Sequence, residues 1–341
     1  MTALPSVTVI MPIRNEAAFI ERSLGAVLGQ DYPPALLQVL VVDGLSDDGT
    51  RGLVERLQTQ HPAHRVGLLD NPKRIAPTAM NIALDHADGD VIIRVDGHCE
   101  IAPDYVRRCI ETLRRTDAEC VGGALTTVGE TTVARAIALA QSSVFGVGGV
   151  AFRTKPDKGC YVDTLAFGAY RRAVFKRLGG FDEELARNQD DEFNFRLTQA
   201  GGKIWLDPAI HAWYYSRAHF AKLWRQYYQY GFYKVRVIQK RRAVPSWRHL
   251  VPAAFVLGLV FTLILAVLTR QGWVALAVAG PYFVVNLAAA LWTGRKALRA
   301  LPLLVPAFLV LHLAYGLGFL AGLWRWRFHW RVRPAISEKA P

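Results

Sequence analysis

The sequence has few cysteines, and they are scattered. Its 341 residues include four (Cys99, Cys109, Cys120 and Cys160), and no two of them form a C-x-x-C pair. This argues against a small secreted fold held by disulfides and is typical of reduced thiols in a cytosolic domain. The N-terminus also lacks the basic start, apolar stretch and small-residue cleavage site of a signal peptide.

Acidic residues are nearly absent from the last third of the chain. Residues 220–341 carry 17 Lys and Arg but a single acid, Glu338, whereas residues 1–219 carry 24 basic and 27 acidic side chains. A basic charge spread over a whole protein would indicate nucleic acid as a partner. A near-neutral first part followed by a basic, apolar second part predicts contact with an anionic membrane surface and no nucleic acid.

Long apolar runs are confined to the end of the chain. The overall hydrophobic content of 52% excludes disorder for most of the sequence. Three stretches, Leu250–Leu268, Trp273–Trp292 and Leu301–Leu323, contain no Asp, Glu, Lys or Arg. Each has about the twenty residues needed to cross a membrane, so we expect about three spans within residues 249–325.

Basic residues beside these stretches predict the orientation of the chain. A cluster before the first span places the N-terminal domain in the cytoplasm by the positive-inside rule; it comprises Lys234, Arg236, Lys240, Arg241, Arg242 and Arg248. Three spans then put the basic tail, residues 326–341, on the opposite side, which the same rule disfavours. Either the basic cluster before the first span determines the orientation, or one of the three apolar stretches is re-entrant or interfacial and the tail returns to the cytoplasm.

Residues 220–248 form a basic, aromatic segment just before the first span. Phe220–Ala243 reads FAKLWRQYYQYGFYKVRVIQKRRA. Aromatic rings at headgroup depth with basic side chains on lipid phosphates describe an interfacial amphipathic helix. A nucleic-acid surface mixes the same residues, but the position against a span favours membrane lipids.

Residues 1–219 alternate between strand and helix patterns. The strands are expected at Val7–Met11, Val39–Val42 and Val91–Val95, and the helices at Ala17–Leu28, Gly52–Gln60 and Thr78–His86. This alternation predicts an α/β domain with a parallel sheet, whose ligands bind at the carboxyl ends of the strands. No G-x-G-x-x-G follows the first strand, which argues against a dinucleotide-binding oxidoreductase.

Polar residues follow each predicted strand. They are Pro12–Glu16 after the first, Asp43 at the head of DGLSDDGT after the second, and Asp96-Gly97-His98 after the third. Such residues also cap helices. Because Asp43 and Asp96 stand at the tips of core strands, we interpret them as ligand-binding.

Several spaced motifs carry a family resemblance. VIMPIRNE, VVDGLSDDGT, RVDGHCE and VDTLAFGAYRR occur in the order found in family two of the inverting glycosyltransferases. The resemblance covers roughly residues 6–240, and with the apolar tail it extends to bacterial membrane glucosyltransferases of the succinoglycan-assembly type. It implies the Rossmann-like, A-type glycosyltransferase fold for residues 1–219. It also implies a multi-pass protein of the bacterial inner (plasma) membrane with a cytoplasmic catalytic domain.

The resemblance also implies a binding site for a UDP-sugar. Asp43 would bind the uracil, and Pro12, Asn15 and Glu16 would lie along the nucleoside. Within Asn71–Asn81 (NPKRIAPTAMN), Arg74 and Asn81 would approach the phosphates and ribose.

A divalent cation, Mn²⁺ or Mg²⁺, is part of the same expectation. Asp96 and His98 stand where the family has its Asp-x-Asp metal motif, and a histidine nitrogen there suits Mn²⁺ better than Mg²⁺. His211, after the strand-like Lys203–Leu206, resembles a histidine that reaches the metal or the diphosphate in related enzymes.

Inversion needs a carboxylate that takes the proton of the acceptor hydroxyl. Counting back from Arg196 places Asp190 at the position of the family's base, with Asp191 next in line. Both are also compatible with an acidic first helical turn. Asp163 is expected at the junction of donor and acceptor.

Gln226 begins a segment similar to the Gln-x-x-Arg-Trp motif of processive polysaccharide synthases, but Gln229 and Tyr230 replace the Arg and Trp. The resemblance therefore implies transfer of a single sugar, glucose in the similar enzymes, to a polyprenyl-diphosphate-linked saccharide in exopolysaccharide assembly. Direct transfer of the sugar to polyprenyl phosphate is an alternative function, and processive polysaccharide synthesis is a less favoured one. A different class of function, a non-catalytic membrane scaffold, is also considered.

Overall fold

The structure is a computed structural model that describes residues 3–154, 157–216 and 219–331. The described chain divides into two compact units, and the first ends at Ser216. Of the predicted basic tail, residues 332–341 lie outside the described residues.

The first unit is an α/β domain. Its strands are β1 Val7–Ile13, β2 Leu37–Asp43, β3 Arg65–Asp70, β4 Val91–Arg94, β5 Cys99–Ile101, β6 Cys120–Val128, β7 Cys160–Tyr161, β8 Ala169–Arg171 and β9 Ile204–Tyr215. Its helices are α1 Ile20–Leu28, α2 Thr50–Gln60, α3 Ala76–His86, α4 Tyr105–Arg115, α5 Thr132–Gln141, α6 Val144–Val147, α7 Ala151–Thr154, α8 Arg172–Leu178 and α9 Gln189–Gln199. All three predicted strands and all three predicted helices are present, with ends shifted by a few residues.

The strands form one sheet in the order β3-β2-β1-β4-β8-β6-β9-β5, with β7 paired to β9. The first four are parallel. Beyond β4 the sheet is mixed, because β8 is antiparallel to both β4 and β6, and β5 and β7 are antiparallel to β9. The expectation of a parallel sheet is therefore correct for the first half and wrong for the second. The second-half strands are short or irregular and lack the apolar runs that mark β1, β2 and β4.

Apolar cores lie on both faces of the parallel half. In β1, Val9 and Met11 belong to one core and Ile10 belongs to the other. A strand covered on both faces is apolar at every position, which explains the unbroken runs in the sequence.

The second unit consists of four long helices, α10 Phe220–Arg241, α11 Val251–Thr269, α12 Leu276–Gly294 and α13 Leu301–Arg325. Three helical stretches, Trp247–Thr269, Gly272–Gly294 and Leu298–Arg325, are long and apolar enough to cross a membrane. They coincide with the three apolar stretches predicted from the sequence.

Helix α10 packs closely along α13. A Cβ added to Gly231 would lie 2.0 Å from the carbonyl oxygen of Tyr315, and one added to Gly318 would lie 2.0 Å from that of Tyr228. Only glycine permits such an approach of two backbones. At the ends of these helices, the Gln239 side chain donates to the Trp326 carbonyl at 2.9 Å. The basic, aromatic segment is thus packed against the last apolar helix.

Candidate active site

The candidate site lies at the carboxyl edge of the parallel strands. Ile13 at the end of β1 pairs with Asp43 at the end of β2, and Arg94 at the end of β4 pairs with Ile10. Adjacent strands are about 4.8 Å apart, so β2 and β4 on either side of β1 are roughly 10 Å apart. The two predicted ligand carboxylates, Asp43 and Asp96, therefore stand at the same edge of the sheet.

Asp43 is buried and organises the loop that follows it. Its carboxylate accepts hydrogen bonds from the backbone N–H of Ser46 at 3.2 Å and from the Ser46 hydroxyl at 2.5 Å. Nη1 of Arg51 is 3.7 Å away. The side chain thus holds a turn, the structural role that aspartate commonly plays in loops.

The turn after β1 is tied to the same loop. Asn15 has a φ of 54°, and its amide donates to Asp47 at 2.8 Å while accepting from the Asp47 N–H at 3.1 Å. The N–H of Glu16 donates to the Thr50 hydroxyl at 2.8 Å. Pro12 is the last but one residue of β1, and Arg14 separates that strand from Asn15. These hydrogen bonds join the Asn15–Glu16 turn to the Asp43 loop.

Glu16 and His98 form a side-chain pair. Nδ1 of His98 lies 2.8 Å from Oε1 of Glu16, and both side chains are largely buried. A carboxylate only accepts hydrogen bonds, so Nδ1 carries a proton, and in the neutral imidazole the lone pair is then on Nε2. A carboxylate behind an imidazole in this way is the usual support of a metal-binding histidine.

Arg94 joins the predicted metal ligand to the predicted base. Its Nε and Nη2 donate to the two carboxylate oxygens of Asp96 at 2.8 and 3.0 Å, and Nη1 lies 3.4 Å from Oδ2 of Asp190. Sequence reasoning missed this residue. The signal was a basic side chain in the apolar run VIIRVDG, because a buried cation requires nearby carboxylates.

The electrostatics of this trio favour its charged form. Burial acts to lower the pKa of Arg94, but the negative charges of Asp96 and Asp190 outweigh it and raise the pKa above its ordinary value. The guanidinium is therefore a permanent cation between two carboxylates. Its planar fork fits Asp96 with two hydrogen bonds and leaves a third nitrogen for Asp190.

Helix α9 carries Asp190 and Asp191 in its first turn, and buried contacts fix that helix. Oδ1 of Asn194 accepts from the Tyr170 hydroxyl at 2.7 Å, and its Nδ2 donates to the Thr164 hydroxyl at 3.0 Å. Arg196 donates to the carbonyl of Leu178 at 2.6 Å. These contacts hold Asp190 at the position where it reaches Arg94. Asp191 is its neighbour in the same turn.

Three other residues predicted to contact the sugar donor or to lie beside it, Asn81, Arg74 and Asp163, lie outside this trio of side chains. The amide of Asn81 accepts from the Phe181 N–H at 2.7 Å and donates to the Phe181 carbonyl and to Glu183. This amide holds a loop, and its contacts do not support a donor role. Arg74 is exposed in the turn after β3, with a φ of 57°, and Asp163 is exposed beside Thr164.

The structure does not bring His211 to Asp96. His211 lies inside β9, where it pairs with Ala124, whereas the N–H of Tyr215, four residues further on, donates to the carbonyl of His98. Four strand residues correspond to roughly 13 Å. The strand-like run predicted at Lys203–Leu206 continues through Tyr215, which carries His211 away from the strand end.

Gln226 belongs to α10 in the second unit. It is buried, and its Nε2 donates to the Tyr230 hydroxyl at 2.9 Å.

A metal ion at this edge would need ligands from outside the protein. Within residues 3–154, 157–216 and 219–331, no three His, Cys, Asp or Glu side chains form a metal-binding group. His98 presents Nε2, while both carboxylate oxygens of Asp96 bond Arg94. The protein groups fit a cation that takes its remaining ligands from phosphate oxygens and water.

Comparison with known proteins places the chain in a family. The model of glycosyl transferase family 2 matches residues 8–179. The chain is 36% identical over 330 residues to succinoglycan biosynthesis protein ExoA of Rhizobium meliloti (strain 1021), covering 96% of each. It is 28% identical over 269 residues to a dolichyl N-acetyl-alpha-D-glucosaminyl phosphate 3-beta-D-2,3-diacetamido-2,3-dideoxy-beta-D-glucuronosyltransferase of Methanococcus voltae, covering 77% of this chain and 81% of that one.

Solved structures share the fold. Mannosyltransferase PcManGT from Pyrobaculum calidifontis, in complex with GDP-Man and Mn²⁺, superposes with a TM-score of 0.62 at 22% identity, covering 95% of this chain and 88% of that chain. Residues 1–349 of S. aureus TarS with UDP-GlcNAc give 0.54 at 18% identity, covering 94% and 91%. The expected A-type glycosyltransferase fold is confirmed. With the family model matching half of the sequence and a relative aligned along nearly all of it, the chain belongs to glycosyl transferase family 2 and is a glycosyltransferase.

Proposed function

We propose that the protein transfers one sugar, glucose, from UDP-glucose to a polyprenyl-diphosphate-linked saccharide during exopolysaccharide assembly, with inversion at the anomeric carbon. The observation that carries this proposal is the contact of Arg94 with both Asp96 and Asp190. This contact supports the proposal because one guanidinium holds both a candidate metal ligand, for the leaving diphosphate, and a candidate base, for the attacking hydroxyl.

Asp43, with Pro12, Asn15 and Glu16 beside it, supports binding of the nucleoside. The carboxylate of Asp43 is buried at the strand edge and its loop is joined to the Asn15–Glu16 turn. A uracil ring offers an N–H donor to a carboxylate, which is the role we assign to Asp43. The guanidinium of Arg74 makes no ion pair within the described residues and is the cation available to a phosphate.

A divalent cation would be held by His98, through Nε2, and by Asp96. When bound, the cation would neutralise the charge that develops on the leaving diphosphate. Asp96 would offer the cation a carboxylate that is oriented by its two hydrogen bonds from Arg94. A nitrogen ligand favours Mn²⁺ over Mg²⁺.

Asp190 is the proposed base. The acceptor hydroxyl oxygen forms the new bond to the anomeric carbon, the bond to the diphosphate breaks with its electron pair leaving on UDP, and the hydroxyl proton passes to Asp190. Nη1 of Arg94, 3.4 Å from Oδ2, orients this carboxylate. Asp191 is the second candidate for the same role.

Two relatives support a lipid-linked acceptor. One is named for succinoglycan biosynthesis and the other for transfer to a dolichyl-phosphate-linked sugar. The apolar helices would anchor the protein in the bacterial inner membrane, with the first unit in the cytoplasm and α10 in contact with lipid headgroups. Transfer to bare polyprenyl phosphate remains the alternative for the acceptor.

The test uses the purified full chain in lipid nanodiscs. Radiolabelled UDP-glucose and GDP-mannose are offered separately, with Mn²⁺ or Mg²⁺, to a polyprenyl-diphosphate-linked saccharide and to polyprenyl phosphate. The products are identified by mass spectrometry. We expect one hexose added to the saccharide from UDP-glucose, with Mn²⁺ more effective than Mg²⁺.

Other products would contradict specific parts of the proposal. If the label appears only on polyprenyl phosphate, polyprenyl phosphate is the acceptor and the saccharide assignment is wrong. A series of products that differ by one sugar each would indicate processive synthesis. Use of GDP-mannose in preference to UDP-glucose would overturn the donor assignment.

A further inference from the structure

We propose that the first unit has a second binding site, for a phosphate-bearing small molecule, in a basic pocket remote from the donor site. The pocket has a volume of ≈ 450 Å³ and is lined by four basic side chains, Arg114, Arg171, Arg172 and Lys176, with one carboxylate, Asp90. We call this the basic pocket. It has no place in the proposed transfer reaction and does not depend on it.

The basic pocket lies at the opposite edge of the sheet from the candidate active site. Asp90 and Val91 stand at the start of β4, and Val91 pairs with Arg171 at the end of the antiparallel strand β8. The active-site residue Arg94 is at the other end of β4. Three steps along a strand correspond to about 10 Å, so a ligand in the basic pocket cannot touch Asp43 or Asp96.

Backbone carbonyls, which carry no net charge, hold the three guanidinium groups. Arg171 donates to the carbonyls of Leu113 and Ala118, Arg172 donates to the carbonyl of Asp88 at 3.1 Å, and Arg114 donates to the carbonyl of Ala3 at 2.6 Å. Such bonds fix the direction of each guanidinium without neutralising it, and the Glu119 carboxylate, which acts on Arg171 electrostatically, forms its hydrogen bonds with Arg177 instead. Lys176, on α8, makes no ion pair within the described residues.

The nearby carboxylates are already engaged elsewhere. Oδ2 of Asp90 accepts from the N–H of Ser6 at 3.0 Å and from its hydroxyl at 2.8 Å. Asp88 pairs with Arg65, and Glu119 forms two hydrogen bonds with Arg177, outside the pocket. The side chains lining the basic pocket therefore carry a net charge of +3, formed by four cations and one anion.

This arrangement fits a phosphate group attached to a less polar body. Guanidinium groups held in fixed directions match phosphate oxygens, and several together suit a dianion better than a carboxylate. The floor of the basic pocket is apolar, formed by Val91, Ile110 and Leu113. A cavity of this volume is in the range that binds small molecules. A nucleotide and a phospholipid headgroup both offer this chemistry.

The test measures binding to the full chain in detergent micelles by isothermal titration calorimetry. The probes are inorganic pyrophosphate and guanosine monophosphate, and a flotation assay compares vesicles with and without anionic phospholipid. The test variant is Arg114→Gln with Lys176→Gln, since both side chains are exposed. The matched control is Arg177→Gln, which removes a charge from the same helix outside the pocket. A second test variant, Arg172→Gln, tests the basic pocket independently in case the first variant does not fold.

We expect pyrophosphate or the nucleotide to bind at least tenfold more weakly to both test variants and within twofold of wild type to the control. UDP affinity stays within twofold in every variant, which separates this pocket from the donor site. Binding of anionic vesicles alone, lost in the test variants, supports the proposal with lipid as the source of the phosphate. Equal affinities in wild type and both test variants, or no saturable binding of any probe, would overturn it.

Discussion

Nδ1 of His98 lies 2.8 Å from Oε1 of Glu16, and this pair joins the turn after β1 to the segment after β4. The sequence resemblance implied that Glu16 lies along the nucleoside. Its carboxylate also contacts the ring of His98, and in our proposal Nε2 of that ring binds a cation. Glu16 is therefore a positioning residue for the proposed metal ligand.

Glu16→Gln is expected to weaken Mn²⁺ binding about 10-fold to 100-fold, since loss of a carboxylate behind a metal-binding histidine typically has that effect. Electron paramagnetic resonance of free Mn²⁺, titrated with enzyme and UDP, measures it. Glu21→Gln, which changes an exposed carboxylate on α1, is the control and retains wild-type affinity. Unchanged Mn²⁺ affinity in Glu16→Gln would contradict the assignment of His98.

Arg94→Lys keeps the positive charge but cannot contact three carboxylate oxygens at once. We expect kcat to fall about 100-fold with little change in the donor KM, because a misplaced catalytic group costs about that factor. Steady-state kinetics with varied UDP-sugar separate the two constants. Arg65→Lys, in an exposed pair with Asp88, serves as the control. Wild-type kcat in Arg94→Lys would show that the Arg94 contacts are structural only.

Asp190→Asn and Asp191→Asn distinguish the two candidate bases by isosteric changes in one helical turn. Removing a general base lowers kcat by about 10²-fold to 10⁴-fold, which we expect for Asp190→Asn. Asp191→Asn is expected to remain within about tenfold of wild type, and UDP affinity should hold in both. Transfer rates are measured at saturating donor and acceptor. A larger loss of kcat in Asp191→Asn than in Asp190→Asn would identify Asp191 as the base. Full activity of both variants would contradict a role of either carboxylate as the base.

Glu119 links the stability of the first unit to pH. The hydrogen bonds from Arg177 lower the pKa of Glu119 below its ordinary value, so the stabilisation is present above about pH 4.3 and is lost as the pH falls through the lowered pKa. Glu119→Gln should therefore cost about 0.5–1 kcal/mol at pH 7 and less at about pH 3. Thermal unfolding at both pH values measures the difference. Asp85 is an exposed carboxylate of α3 that forms no ion pair in the part of the chain that the structure describes, and Asp85→Asn is the control, with the same effect expected at both pH values.

Gly231→Ala tests the packing of α10 on α13. The added Cβ would lie 2.0 Å from the Tyr315 carbonyl oxygen, and overpacking of this kind costs about 1–3 kcal/mol or more. Thermal unfolding in detergent should show a lower transition temperature. Gly258→Ala on α11 is the matched control, because its nearest neighbour would be 3.5 Å away. Equal transition temperatures would mean that α10 is free to separate from α13.

The sequence by itself determined the elements whose signal is local. The strands β1, β2 and β4 are mostly apolar because both their faces are buried, with Thr8, Gln38 and Arg94 among the exceptions. The apolar helices of the second unit are long runs without charge. Asp43 and Asp96 were found because polar residues at the ends of such strands meet at one edge of a parallel sheet.

Only the tertiary structure decided which side chains meet. The contact of Arg94 with Asp190 joins residues 94 and 190, and the Glu16–His98 pair joins the segments that follow β1 and β4. The placement of His211 inside β9 depends on how that strand pairs with its neighbours. Such relationships depend on register and distance between segments far apart in the chain, which composition and periodicity do not encode. The charge of Arg94 was visible in the sequence, but its partners became visible only in the fold.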